Sequence, residues 1–246
     1  MASEFLLDHI ILKVEVGSTA HGTGIPGHED QDEMAVAVEP LKYTLGLERA
    51  ETYTHRPGRG PGDPSGPGDL DLVVYPLQKF MSLALSANPA IMMVFWSNVL
   101  TSTHLGNDLR DSFDKFVSKR LFNTHLGYAK SQINRMKDGK YYKSRAKIVE
   151  TFGYDTKYAM HALRLLLQGL ELAETGKIQI PIPNPNGDLL REIRHGKYKQ
   201  EDFFKLYEHY EEKLREEEQK STLPEEPNRD WANQFLIEVY TNYWYI

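Results

Sequence analysis

From His9 to Val16 apolar and polar residues alternate. Ile10, Leu12, Val14 and Val16 fall on one side of the chain, and Ile11, Lys13 and Glu15 on the other. A period of two is that of a half-buried strand. Met34–Val38 is a second short apolar run, ended by Glu39-Pro40, and a third strand starts abruptly at Asp69-Leu70-Asp71-Leu72-Val73-Val74-Tyr75. After Pro76 the period changes: Leu77, Phe80, Met81, Ala84 and Leu85 lie at helical spacing until Asn88-Pro89 stops them. The run Ala90–Trp96 is too apolar to be exposed. From about residue 108 the pattern turns helical. Its clearest helix is Thr156–Thr175, with Met160, Leu163, Leu167 and Leu170 as the buried stripe and Gly176 as the stop. Glu201–Lys220 predicts a charged helix. Asn228 is placed to cap a last one from Asp230, rich in aromatics (Trp231, Phe235, Tyr240, Trp244).

Glycine and proline punctuate these elements. Residues 55–68, HRPGRGPGDPSGPG, read as a mobile surface loop without packed structure, and IPIPNPNG at 180–187 as a connector. No internal repeat is visible. The pattern therefore predicts an α+β N-terminal part over residues 1–105 and an α-helical part over 106–246, packed as two lobes. Residues 1–16, MASEFLLDHIILKVEV, carry acids where a signal peptide would carry basic residues, so they read as the first structural element. No apolar run approaches the roughly 20 residues that cross a bilayer, so no membrane partner is expected.

Composition narrows the chemistry. The chain has no cysteine. Disulfides, thiolate metal sites and a cysteine nucleophile are excluded, and a reducing, cytoplasmic setting is expected. The net charge of −6 is unevenly spread: residues 1–100 hold 6 Lys+Arg against 13 Asp+Glu, while residues 101–200 hold 18 against 10. An acidic first part can hold cations and a basic middle can hold polyanions, although charged faces are as often merely solvated.

The stretch Gly17–Glu33, GSTAHGTGIPGHEDQDE, joins the first strand to the second. Glycine at a strand end permits a sharp turn and a close approach by a ligand, and the serine behind it adds a hydroxyl and an N–H. Gly17 and Ser18 could thus hold a phosphate, but Gly-Ser turns are mostly structural. Asp30 and Asp32 add to this. Alternate residues of a strand point the same way, so both carboxylates converge. Two such groups repel each other unless a hard divalent cation such as Mg²⁺ lies between them. Asp69 and Asp71 offer a third carboxylate from another strand. Taken separately, each pair reads more readily as turn and cap residues than as a site; the whole constellation does not.

Strand, Gly-Ser, loop, Asp-x-Asp, strand and a further Asp resemble the nucleotidyltransferase fold of the DNA polymerase β superfamily. GSTAHGT, DQDEMAV and DLVVYPLQKFMSLALSANP are similar, more narrowly, to the predicted RNA-repair-pathway, or RNA-ligase-partner, nucleotidyltransferases. The similarity extends from residue 10 to about residue 200 and takes in Gly127-Tyr128, Tyr154, Lys157, His161 and Arg164. It departs at Glu29, where that family usually has Ser, and at Met34-Ala35, where it usually has Arg-Gly. The resemblance implies a mixed sheet flanked by helices with a C-terminal helical lobe. It further implies that Gly17 and Ser18 bind nucleoside triphosphate (NTP) phosphates, and that Asp30, Asp32 and Asp71 hold Mg²⁺ or Mn²⁺. Asp71 would also help to deprotonate the attacking hydroxyl. Lys157 and Arg164 would neutralise the triphosphate and His161 would donate a hydrogen bond, with Lys79 near the Asp71 strand acting like Lys157. On residue type alone, the stripe Lys157, His161, Arg164 and Gln168 is equally the wet side of a helix.

The function expected is metal-dependent transfer of a nucleoside monophosphate from an NTP such as ATP to a hydroxyl, RNA or another nucleic-acid end being the foremost acceptor class. The basic, tyrosine-bearing run from Lys115 to Lys147, with Tyr128, Tyr141 and Tyr142, suits a nucleic-acid backbone as well as it suits solvent. Nucleotidylation of a protein or small molecule, or a non-catalytic nucleotide-binding module, are the alternatives. Base preference, acceptor and oligomeric state are not encoded in any motif of the chain.

Overall fold

The computed structural model describes residues 3–24, 31–58, 60, 63, 66, 68–138 and 143–244. In chain order the elements are β1 (Ile10–Glu15), α1 (Gly17–Ala20), β2 (Gln31–Ala37), α2 (Leu41–Thr44), β3 (Tyr53–His55), β4 (Leu70–Pro76), α3 (Leu77–Leu85), α4 (Pro89–Met92), β5 (Val99–Ser102) and α5 (His104–Asp111). They continue with α6 (Arg120–Lys137), α7 (Lys143–Phe152), α8 (Thr156–Thr175), α9 (Asn186–Arg194), α10 (Gln200–Lys220) and α11 (Arg229–Tyr243). The chain is mixed α and β, with one five-stranded sheet and many helices. It forms two compact units: residues 1–116 with 226–246, and residues 117–225.

The first unit is built on the sheet, in the order β3-β4-β2-β1-β5. β2 and β4 run parallel, while the β1–β2, β1–β5 and β3–β4 pairs are antiparallel. The last four residues of β2, Met34 to Ala37, are all buried. Their run is continuously apolar because both faces of the strand are covered. On one face Ala35, Ala37, Leu72 and Val74 pack with Leu6 from the 3₁₀ helix Glu4–His9. α3 also packs on β2 and β4, α5 on β1, and α11 on α3. Phe95 packs on Phe80 and on Phe116, and Phe116 meets Trp231 of α11 edge to face with centroids 5.8 Å apart. The C-terminal helix thus belongs to the sheet-bearing unit. As the sequence suggests, Asn228 caps it, its side chain accepting from the Trp231 N–H at 2.9 Å.

A buried carboxylate secures the junction after β4. Glu39 is 2% exposed, and its side chain accepts from the N–H groups of Leu77 (2.8 Å) and Gln78 (3.2 Å). Pro76, which precedes α3, offers no side-chain cap, so Glu39 supplies the acceptor from a distant strand end. The Trp244 indole donates to the Glu39 carbonyl at 3.1 Å. Burial, the dominant influence, holds the Glu39 carboxyl above the ordinary range for glutamate.

The second unit is helical, with α6, α9 and α10 packed on α8. α8 starts at a side-chain cap, Asp155 accepting from the Lys157 and Tyr158 N–H groups at 3.0 Å, and ends at Gly176 with φ of 71°. Most of it is buried, Leu165, Leu166 and Gln168 included, while Lys157, His161 and Arg164 are half-buried and its last two residues are exposed. Leu170, expected in the buried stripe, is only half-buried. Gly169 explains the close packing. A Cβ there would lie 3.1 Å from both His125 of α6 and Leu214 of α10.

Candidate active site

β1 ends at Glu15 and the chain turns sharply at Gly17, whose φ is 78°. A Cβ on Gly17 would stand 2.0 Å from Oδ2 of Asp32, so only glycine permits this approach. The Val16 N–H donates to the Asp32 carbonyl at 2.9 Å, pinning the turn to β2. One helical turn, Gly17–Ala20, follows. Ser18 is half-buried within it, and its carbonyl accepts from Thr23 N–H at 3.0 Å. The Gly-Ser turn therefore rests directly on an aspartate of the second strand.

β2 and β4 lie side by side in parallel register, Asp32 opposite Asp71. Neighbouring strands are about 4.8 Å apart and register partners share a face, so the two carboxylates project together. The Gln31 N–H donates to the Asp69 carbonyl at 2.8 Å where the two strands begin. The Asp69 side chain instead accepts from the Gly66 N–H at 2.8 Å and closes the preceding turn. Asp30 lies outside the described residues.

Residues 3–238 match the sequence profile of the RNA repair pathway DNA polymerase beta family. The chain belongs to that family. Among solved structures it is similar to a nucleotidyltransferase-like protein from Exiguobacterium sibiricum 255-15, at 14% identity and a TM-score of 0.32, over 97% of this chain and 73% of that one. No protein of curated function matches the sequence.

In this member of the RNA repair pathway DNA polymerase beta family a cation already faces Asp71. Arg56 Nε stands 2.8 Å from Asp71 Oδ1, with the Asp71 side chain 12% exposed. The contact follows from strand pairing: β3 runs antiparallel to β4 with His55 opposite Leu72, which delivers the next residue, Arg56, to Asp71. The start of the glycine- and proline-rich segment is thus packed, contrary to its reading as loop from residue 55. Residues 59, 61, 62, 64, 65 and 67 of that segment lie outside the described residues. Nothing in the local pattern marks Arg56, because its partner is set by a three-residue strand too short to show a period.

Lys79 stands elsewhere. β4 starts at Leu70 and ends at Pro76, and Lys79 follows in α3, so Asp71 and Lys79 flank opposite ends of one strand. At about 3.3 Å per residue the strand alone separates them by about 16 Å. The Lys79 ammonium pairs with Glu51 at 3.2 Å and borders a cavity of about 480 Å³ beside Pro76, Arg49 and Arg229. That cavity lies at the far end of β4 from the carboxylates.

Lys157, His161 and Arg164 belong to α8, and the structure brings two further arginines to that helix. Arg145 of α7 stacks 3.8 Å over the Tyr158 ring and meets Asp155 at 3.4 Å, and Arg194 of α9 donates to Thr156 Oγ1 at 3.4 Å. Burial above all, then the charges of Arg164, Lys157, Arg145 and Arg194, holds the His161 imidazole well below the ordinary histidine range. Burial pushes the Arg164 guanidinium down to about 10, so it stays charged at neutral pH.

A divalent ion suits the donor set on the strands. Asp32 and Asp71 offer hard oxygens on one face, Asp32 packs against the Gly17 backbone, and a cationic side chain is already drawn to Asp71. Among the described residues no group of three or more His, Cys, Asp or Glu could hold a metal ion, so a third carboxylate would have to come from outside them. No helix of the described residues is long and apolar enough to cross a membrane.

Proposed function

We propose that this protein transfers a nucleoside monophosphate from a nucleoside triphosphate to a hydroxyl on an RNA or other nucleic-acid end, releasing pyrophosphate in a Mg²⁺- or Mn²⁺-dependent reaction. The observation that carries this reading is the contact of Gly17 with Asp32, itself in register with Asp71. It joins the Gly-Ser turn to a pair of carboxylates on one face of the sheet. Asp32 and Asp71, with Asp30 two residues earlier in the chain, would hold the ion. When bound, it would offset charge on the phosphoryl oxygens and on the departing pyrophosphate.

The chain's own groups carry the remainder. Gly17 lets the Asp32 carboxylate pack against the turn, and Ser18 donates its hydroxyl and N–H to phosphate oxygens. The acceptor hydroxyl oxygen attacks the α-phosphorus and its proton passes to Asp71, while the bond to the bridging oxygen breaks and its electron pair leaves with pyrophosphate. Arg56 pairs with Asp71 before substrate arrives and would yield it to the ion. The family's connection with RNA repair and the exposed Tyr128 on the basic helix α6 favour a nucleic-acid acceptor over a protein or metabolite.

The test is incorporation of label from each α-labelled NTP, with Mg²⁺ or Mn²⁺, into a mixed pool of RNA, protein and metabolites. Labelled RNA that disappears with Asp32→Asn is the expected result. Label in protein alone would move the acceptor, and no label under any condition would overturn the transfer reading.

A further inference from the structure

The C-terminal halves of α8 and α10, with the connector between α8 and α9, border a cavity of about 460 Å³ inside unit 117–225. Tyr154, just ahead of α8, stacks on Phe203 in the first turn of α10, and Gly169 packs close to Leu214. The two helices therefore run in the same direction and end side by side. Their unpaired terminal carbonyls give that side of the cavity partial negative charge. The connector wall is fixed by hydrogen bonds: the Gln179 N–H donates to Glu171 Oε1 at 3.1 Å, the Gly187 N–H to the Pro183 carbonyl at 2.9 Å, and Arg191 to Asn184 at 3.0 Å. The cavity is thus formed before any ligand arrives, and it has the size of a small-ligand site.

Its lining is chemically divided. Leu167, Leu170 and Ile182 supply apolar surface. Beside them stands Gln168, 3% exposed, whose side-chain Nε2 is buried without a hydrogen-bond partner among the described residues. An unpaired buried amide donor is destabilising, and an acceptor from outside the chain would relieve it. Four carboxylates complete the lining, Glu171 and Glu174 of α8 and Glu216 and Glu217 of α10, against two ammonium groups, Lys213 and Lys220. Glu171 and Glu174 are three residues apart, so they are neighbours on the helix surface and repel each other. Lys220 stands 3.9 Å from Glu216 in an exposed pair, which neutralises little. The Tyr210 ring already draws a cation, the Lys213 ammonium lying 5.5 Å from its centroid.

We propose that this cavity binds an arginine, its carbonyl oxygen accepting from Gln168, its methylenes lying on Leu167, Leu170 and Ile182, and its guanidinium held among the four carboxylates. Each part of the ligand answers one part of the lining: an acceptor for the unpaired donor, an aliphatic stem for the apolar surface, and a cation for the excess of acid. A guanidinium presents a planar fork of N–H donors that matches carboxylates in pairs and stacks on an aromatic ring, which an ammonium does not. The same carboxylates repel a phosphate-bearing ligand. The inference therefore goes beyond nucleotidyl transfer and requires neither Asp32 nor a metal. The ligand chemistry has two sources, the free amino acid and an arginine within a polypeptide.

The experiment titrates the full chain by calorimetry, without metal or nucleotide, with arginine acetylated at its amine and methylamidated at its carboxyl so that only the guanidinium is charged. Saturable binding is expected, and it should weaken as salt rises from about 20 mM to about 300 mM, because the carboxylates are partly solvated. Gln168→Leu should weaken it by about tenfold. The melting temperature of that variant should hold or rise, since the unpaired donor is gone. Glu171→Gln should weaken binding several-fold. No binding, or equal binding by wild type and either variant, overturns the site, as does equal binding of the leucine derivative capped in the same way. Should Gln168→Leu not fold, the Gln168 side-chain amide is followed by NMR in the unaltered protein. A signal that moves on titration supports the site and an unmoved one overturns it. Free L-arginine that binds at least as tightly as the capped form assigns the amino acid as source, and weaker binding assigns an arginine within a polypeptide.

Discussion

At the scale of single residues, the contact between Gly17 and Asp32 makes the sharpest demand on side-chain identity. Alanine at 17 would have to adopt a left-handed backbone, at about 1–2 kcal/mol, and would also drive its Cβ into the Asp32 carboxylate. Gly17→Ala is therefore expected to lose about 100-fold or more in kcat/KM, because even about 1 Å of displacement at a reacting centre has that effect. Unchanged kinetics would separate the turn from the chemistry. Asp32→Asn should abolish transfer with the circular dichroism spectrum intact. Arg56 acts in the opposite sense to the carboxylates, since its guanidinium competes with a metal for Asp71. The pair is partly solvated, so the effect is modest. Arg56→Gln should bind Mn²⁺ several-fold more tightly by calorimetry, and equal or weaker binding would show that Arg56 helps to order the site.

At the scale of elements, two buried polar groups set the stability of their helices. Glu39 provides the N-terminal acceptor that α3 lacks, so Glu39→Ala should lower stability to urea by about 1–2 kcal/mol with an unchanged denaturant slope. A loss below a few tenths would mean that solvent replaces the cap. His125 of α6 is fully buried, bonded at 2.8 Å to the Leu121 carbonyl, and burial pushes its pKa down to about 4. The unfolded chain binds this proton near pH 6.5, whereas the folded chain resists it until about pH 4. Stability is therefore whole above the unfolded value and falls as pH drops through that window, by up to about 3 kcal/mol. His125→Asn keeps a donor for Leu121 but cannot titrate. The acid limb of its stability curve should be flatter than that of wild type, and coincident curves would assign acid sensitivity to other groups.

For the whole molecule, the decisive quantity is the linkage between ligand and fold. A metal that binds the native chain at about 100 times its dissociation constant adds about 2.7 kcal/mol to stability. Mn²⁺ should thus raise the melting temperature, EDTA should return it, and Asp32→Asn should abolish the increment. A rise that persists in Asp32→Asn would place the ion elsewhere. The division into units matters to how such data are interpreted. The strands at residues 10–102 and the helix at residues 229–243 share one unit, while residues 117–225 form the other. A truncation before α11 would remove the Trp231 ring packed on Phe116 and the Trp244 donor to Glu39, so it would damage the sheet-bearing unit.

Several features were determined by the sequence alone because their causes are local. The alternation at residues 10–15 specifies β1. The apolar residues of Thr156–Thr175, with Gly176 behind them, set the extent of α8, since its period and stop lie within a few residues of each other. The Gly-Ser turn and the aspartates were visible for the same reason, as a short motif with its chemistry inside it. Tertiary structure decided what depends on distant partners. β3 and β5 have three and four residues, so pairing rather than pattern makes them strands. Arg56 reaches Asp71 through the register of β3 on β4, and Lys79 is carried to the other end of that strand. Gln168 is buried and the polar side of α8 carries neighbours from α7 and α9 where the sequence allowed open solvent. A periodicity states that a helix has two faces. Only the packing of other helices decides whether both are covered.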